Sequence, residues 1–140
     1  MSVVLVTGPT AGIGKSLAYK FAERGYDLFL VARRLDRLKE IALDIEKKFN
    51  VNVEVLQSDL KNKNSPKEIY DYSRKTKLDV EILVLNAGYQ HNKTLHEVSL
   101  DDEEDCLRVL GLSVIMQTKL YHKDFIKRGG GKVLVVSSVA

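Results

Sequence analysis

The stretch Val3-Val4-Leu5-Val6-Thr7-Gly8-Pro9-Thr10-Ala11-Gly12-Ile13-Gly14-Lys15-Ser16 decides how the rest of the chain is read. It opens on a run of aliphatic, mostly β-branched residues bounded by glycine, the pattern of a strand buried in a parallel sheet. Three glycines follow, at spacings of four and then two. Glycine permits the positive φ of a tight turn and lets a ligand approach bare backbone. A helical pattern starts at about Lys15. The first turn of a helix directs unpaired N–H groups and the positive end of its dipole outward. Strand, glycine turn and helix in that order form a candidate cradle for a nucleotide phosphate.

Outward from this stretch, strand-like and helix-like segments alternate. No repeat, low-complexity tract or Pro/Gly-rich linker divides the 140 residues, so residues 1–140 read as one domain. Strands are expected over 2–7, 27–32, 51–57, 80–85 and 132–136, and helices over 15–23, 35–49, 66–75 and 99–128. Alternation of this kind predicts an α/β fold, a doubly wound parallel sheet of about five strands. Gly25 is placed to end the first helix as a C′ residue. Ser65 is expected to cap the third, with Pro66 at its first position and Glu68 at its third. Ser99 is expected to cap the long helix, whose first turn holds Asp101, Asp102, Glu103 and Glu104, where negative charge suits the dipole. The apolar stripe of that helix is read as Leu107, Leu110, Val114, Met116, Leu120 and Phe125. It ends after Arg128 at Gly129-Gly130-Gly131.

Composition narrows the function classes. The 22 basic and 19 acidic residues are interleaved and leave a net charge of only +3, which argues against a nucleic-acid partner. The single cysteine, Cys106, has no internal partner and fits a reducing, cytoplasmic setting. The first strand begins almost at Met1, so no signal peptide is expected. No apolar run has the length of a membrane span. The three histidines, His91, His96 and His122, lack metal-ligand spacing, and no metal site is expected.

Further motifs sharpen the reading. Asn86-Ala87-Gly88 closes the fourth strand, and Ser137-Ser138 closes the fifth. With Thr7-Gly8-x-x-x-Gly12-x-Gly14, their order and spacing resemble the short-chain dehydrogenase/reductase family over the whole chain, and the resemblance implies a Rossmann fold. It further implies that Gly8, Thr10, Gly12 and Gly14 lie along the cofactor pyrophosphate and that Ile13 presents a backbone amide there. Asp59, with Leu60 beside it, would meet the adenine; the alternative reading of Asp59 is a turn former closing the third strand. Asn86, Ala87 and Gly88 would line the ribose side. Ser138 resembles the family's catalytic serine, whose hydroxyl polarises a substrate carbonyl.

Cofactor choice follows from charge. A carboxylate at the end of the second strand would bind an unphosphorylated ribose. That place is Ala32, and Arg33-Arg34 come next. Guanidinium groups form forked, charge-assisted bonds with a dianionic phosphate, so NADP(H) is expected over NAD(H). Asp36, one turn into the second helix, is expected to pair with an arginine.

The chain departs from the family pattern at two points. The family's tyrosine, with a lysine four residues later, would follow the serine beyond Ala140. Tyr89-x-x-x-Lys93 has the spacing but precedes the serine and falls in a loop, without the helical geometry that joins such a pair. The family's helical asparagine, which supports a proton relay, is Leu110 here. The whole protein is therefore expected to run to about 230–260 residues, a size one domain allows, and the 140 residues by themselves to turn over little or nothing.

Three functions compete. The first is an NADP(H)-dependent oxidoreductase acting on a small carbonyl or alcohol, with a homo-oligomer contact through residues 99–128 as the family implies. The second is a non-catalytic dinucleotide-binding sensor or partner protein, favoured by Leu110 and opposed by Ser138. The third is a P-loop phosphotransferase, suggested by Gly14-Lys15-Ser16. That loop needs its first glycine five residues before the second, where Pro9 stands, so the spacing argues against it.

Overall fold

The computed structural model describes residues 2–89 and 92–138. Five strands form one parallel sheet: β1 (Val3–Thr7), β2 (Asp27–Ala32), β3 (Val53–Gln57), β4 (Val80–Leu85) and β5 (Lys132–Val135). Their order is β3-β2-β1-β4-β5. The helices between them are α1 (Gly12–Glu23), α2 (Leu35–Phe49), α3 (Ser65–Lys75), α4 (Leu100–Leu107) and α5 (Ser113–Arg128).

Period-two alternation along the strands builds two cores. Val4, Val6, Leu28, Leu30, Ile82 and Val84 face α1 and α2, meeting Ala18, Ala22, Leu38, Ile41 and Ile45. Val3, Leu5, Phe29, Val31, Leu83 and Leu85 face the other way, onto Ile69, Val109, Tyr121 and Phe125. Each large side chain fully buried this way contributes about 1.5–3 kcal/mol. Helices on both faces make the sheet doubly wound, as expected. Among the described residues no helix is long and apolar enough to cross a membrane.

Local boundaries differ from the sequence reading where tertiary contacts intervene. Helix α1 starts at Gly12, not near Lys15, so Gly12, Ile13 and Gly14 form its first turn. Gly25, at φ +82°, ends it as anticipated. Strand β3 starts at Val53 rather than at residue 51. Ser65 does not cap α3: it is the first helical residue, the N-cap is Asn64, and the Ser65 hydroxyl instead donates to the Asp59 carbonyl at 2.6 Å. Ser99 does cap α4, accepting from the Asp102 N–H at 3.1 Å.

The long helix is broken. Residues Arg108–Leu112 form a π-helical turn between α4 and α5. The expected stripe is also corrected. Phe125 is buried, but Leu107, Leu110 and Met116 are exposed. The inward face is Val109, Ser113, Gln117, Tyr121 and Phe125, at intervals of four. Two of these are polar, and each donates to a carbonyl one turn earlier: Ser113 Oγ to the Val109 carbonyl at 2.7 Å and Gln117 Nε2 to the Ser113 carbonyl at 3.2 Å, while the buried Gln117 Oε1 has no hydrogen-bond partner among the described residues. The Tyr121 hydroxyl donates to Ser73 Oγ of α3 at 2.9 Å. A reading that turns every apolar residue inward therefore selects the wrong face.

Candidate functional site

The sheet reverses its winding between β1 and β4, and a crevice opens beyond the carboxyl ends of the strands at such a point. A cavity of about 320 Å³ lies there. Its walls come from four places: Gly8, Thr10 and Ala11 after β1; Val31, Ala32, Arg33 and Arg34 at the end of β2; Ser58, Asp59, Leu60 and Lys61 after β3; and Asn86, Ala87, Gly88 and Tyr89 after β4. Val109 of the π turn closes one side.

The cradle is held by a short network. Thr7 Oγ1 accepts from the backbone N–H of Asn86 at 3.0 Å and of Ala87 at 3.1 Å. Asn86 Nδ2 donates to the Gly8 carbonyl at 3.0 Å, and the Gly8 N–H donates to the Val31 carbonyl at 3.0 Å. The three strand ends are thereby tied together. Gly8 has φ +67°, and a Cβ there would lie 2.9 Å from the Ala87 Cα. Gly14 is buried under the turn, where a Cβ would come within 2.2 Å of both Asn86 Nδ2 and the Gly8 carbonyl oxygen. Gly12 and Ile13 are exposed at the start of α1. This helix has no side-chain cap and no acidic residue in its first turn. Its leading N–H groups are thus directed outward with the positive dipole end, an arrangement that suits an anion.

At the end of β2 both arginines are exposed, and among the described residues neither forms an ion pair. Asp36 pairs with neither of them; the nearby pair is Arg37 with Glu40 at 3.1 Å. Asp59 does two things. It lines the cavity, and its Oδ1 accepts from the Lys61 N–H at 3.0 Å, the bond that the turn-forming reading expects. The Lys61 ammonium sits 4.5 Å from the centre of the Tyr89 ring, at the cavity wall.

The Tyr89-x-x-x-Lys93 spacing does not form a helical pair. The Tyr89 hydroxyl donates to Asp102 at 3.2 Å, and Lys93 lies 3.7 Å from the same carboxylate. The hydroxyls of Ser99 and Tyr89 hold Asp102 below the ordinary carboxylate range. His91 lies outside the described residues. Ser138 follows β5, whose register pairs Val135 with Leu85, so the chain carrying it leaves the sheet on the same side as Asn86-Ala87-Gly88. Among the described residues it does not form a wall of the cavity. Leu110 is about half exposed within the π turn.

Three residues of this region carry no signal strong enough to single them out in the sequence. Thr7 is one threonine at a strand end. Ser58 has a buried Oγ without a hydrogen-bond partner among the described residues. Gln57 reads as an ordinary exposed strand residue, yet its Nε2 donates to the Arg33 carbonyl at 2.8 Å.

Known proteins place this geometry. Residues 2–140 match the family described as short chain dehydrogenase. A very-long-chain 3-oxoacyl-CoA reductase of Rattus norvegicus is 32% identical over 142 residues, covering 97% of this chain and 44% of that protein. Among solved structures, an alcohol dehydrogenase from the archaeon Thermococcus sibiricus complexed with 5-hydroxy-NADP superposes with a TM-score of 0.88 at 34% identity, covering 99% of this chain and 58% of that one. A short-chain dehydrogenase from Sphingobium yanoikuyae in complex with NADPH gives 0.92 at 29% identity, covering 99% and 54%. The chain spans about half the length of the proteins it matches. With the sheet order, the glycine cradle and the Asn86-Ala87-Gly88 turn, these matches establish that the chain belongs to the short-chain dehydrogenase family.

Proposed function

We propose that these 140 residues are the cofactor-binding part of an NADP(H)-dependent oxidoreductase acting on a small carbonyl or alcohol. The observation that carries the reading is the end of β2, where Ala32 stands in place of a carboxylate and Arg33 and Arg34 line the cavity without ion-pair partners among the described residues. Two of the similar structures hold NADP-type cofactors, which supports it.

The residues present fit such a group. The buried, unpartnered Ser58 Oγ lines the same cavity as the arginines and Asp59. At Gly12 an added Cβ would meet no protein atom within 4 Å, so the exposed start of α1 is open to a ligand. In this reading Gly8, Thr10, Gly12, Ile13 and Gly14 hold the pyrophosphate against the uncapped start of α1. Arg33 and Arg34 hold the 2′-phosphate, Asp59 and Leu60 meet the adenine, and Asn86, Ala87 and Gly88 line the ribose. When bound, NADPH supplies a hydride. Ser138 donates a hydrogen bond to the substrate oxygen and steadies the charge that develops there. Among the described residues no helix carries a Tyr-x-x-x-Lys pair to deliver the proton, so in this reading the 140 residues bind cofactor with little or no turnover. The exposed apolar side chains Leu107, Ile115 and Met116 support a homo-oligomer contact along α4 and α5.

Titration of the chain with NADPH and NADH tests the cofactor assignment. NADPH should bind more tightly. Replacing both arginines, Arg33→Met with Arg34→Met, should cost NADPH on the order of 100-fold in affinity and NADH little, since each charge-assisted bond is worth about 1.5–3 kcal/mol. Equal affinities in the unaltered chain defeat the reading.

Leu110 supports a second reading, a dinucleotide-binding protein without reductase chemistry. A hydrocarbon side chain in the π turn offers no amide to a proton relay. Assay of the natural gene product with 3-oxoacyl thioesters, the substrates named for similar proteins, separates the two: cofactor binding without reduction of these or other carbonyls selects the second.

A further inference from the structure

We propose that Gln57 is a positioning residue for cofactor discrimination, holding the main chain of Arg33 so that the arginine pair meets the 2′-phosphate. The proposal rests on the NADP(H) reading and deepens it.

The parallel pairing of β2 with β3 ends at Ala32 opposite Gln57. One further rung follows, from the Ser58 N–H to the Ala32 carbonyl at 3.0 Å. The backbone of β3 then leaves the sheet, and the Gln57 side chain continues the ladder by donating from Nε2 to the Arg33 carbonyl at 2.8 Å. On the other side of β2, the Gly8 N–H takes the Val31 carbonyl at 3.0 Å. The Arg34 carbonyl accepts from the Leu38 N–H at 3.1 Å, within the first turn of α2. Four successive carbonyls, from Val31 to Arg34, therefore each have a donor. Backbone groups supply three of them, and Gln57 supplies the fourth.

This matters because the segment between β2 and α2 is short and carries both guanidinium groups. Arg34 is extended, at φ −101° and ψ 100°, and no side chain caps the helix that follows. Without the Gln57 amide, Arg33 keeps its charge but its peptide gains freedom that binding must then remove. NADH has no 2′-phosphate and does not draw on that order. Loss of the amide should therefore weaken NADPH selectively.

The test is a double-mutant cycle on the full chain, with Gln57→Met and Arg33→Met made singly and together, read as dissociation constants for NADPH and NADH. Methionine keeps the length and bulk of the side chain and removes the donor. Gln57→Met should weaken NADPH about fivefold, the order for one neutral hydrogen bond, and change NADH by less than about twofold. On top of Arg33→Met it should cost less, since only Arg34 is left to position. An equal loss for both cofactors marks a purely structural role and overturns the proposal. An unchanged preference, or a loss that persists undiminished in the Arg33→Met background, also overturns it. If Arg33→Met alone leaves the preference intact, the NADP(H) reading at Arg33 falls and takes the proposal with it. If Arg33→Met abolishes the preference and Gln57→Met does not alter it, the proposal alone falls.

Discussion

Thr7→Val should destabilise the fold by about 2–4 kcal/mol, although the two side chains have nearly the same shape. The Thr7 side chain is buried at the last position of β1, and its Oγ1 is the acceptor for two consecutive backbone N–H groups, those of Asn86 and Ala87. A methyl group in that place leaves both donors without a partner in a partly buried turn. Each unsatisfied group costs about 1–3 kcal/mol. Against a total stability of about 5–15 kcal/mol, the loss is a large fraction. Denaturant titration measures it, and Thr7→Ser is the control. Serine keeps the acceptor and gives up one methyl, so it should cost no more than about 1.5 kcal/mol. Equal losses for valine and serine would mean that packing, not the hydrogen bonds, accounts for the effect. Since the same two N–H groups orient the Asn86-Ala87-Gly88 wall, Thr7→Val should also weaken NADPH binding.

Gly14→Ala should be the more damaging of the alanine substitutions in the first turn of α1. By local preference alone it should help, since alanine is favoured over glycine inside a helix by about 1 kcal/mol. The tertiary setting reverses the sign. The added Cβ would lie 2.2 Å from Asn86 Nδ2, which could swing away, and 2.2 Å from the Gly8 carbonyl oxygen, which is backbone and could not. Either the turn after β1 moves away from α1 or the helix shifts, and in both cases the Asn86–Gly8 bond is lost. Overpacking of this kind costs about 1–3 kcal/mol net. NADPH affinity should fall by about tenfold or more, the equivalent of 1.4 kcal/mol or above. Gly12→Ala provides the comparison. Gly12 has φ +56° but no atom within 4 Å of the added Cβ, so only the backbone strain of about 1–2 kcal/mol applies. Thermal unfolding together with NADPH titration distinguishes the two sites. If Gly14→Ala proves as mild as Gly12→Ala, the close packing of α1 on the turn is not what holds the cradle.

The two central strands β1 and β2 were legible because each holds an unbroken apolar run, and burial on both faces of a parallel sheet demands that composition; β3 and β4 admit Glu54 and Glu81, and β5 lies exposed at the edge. Helix α2 was legible to the residue, since Leu38, Ile41, Ala42 and Ile45 repeat at a helical period and all four are buried. The cavity walls from Gly8, Arg33, Asp59 and Asn86 followed from motifs at strand ends, which the sheet necessarily gathers on one side.

Other features depend on contacts between distant residues. The inward face of α5 is set by its fit against α3 and β4. It admits Ser113 and Gln117, whose donors reach carbonyls one turn earlier, while Ile115 and Met116 remain outside. Ser65 falls one residue inside the helix instead of capping it, and its hydroxyl donates to the Asp59 carbonyl, six residues earlier, at 2.6 Å. The roles of Thr7, Gln57 and Ser58 depend on which strand lies beside which, and β1 meets β4 only after more than seventy intervening residues. The sequence by itself determined the order of elements and the glycine cradle, because local chemistry dictates both. Only the tertiary structure decided which polar groups tie the strand ends together, because a hydrogen bond across the sheet needs both partners in register.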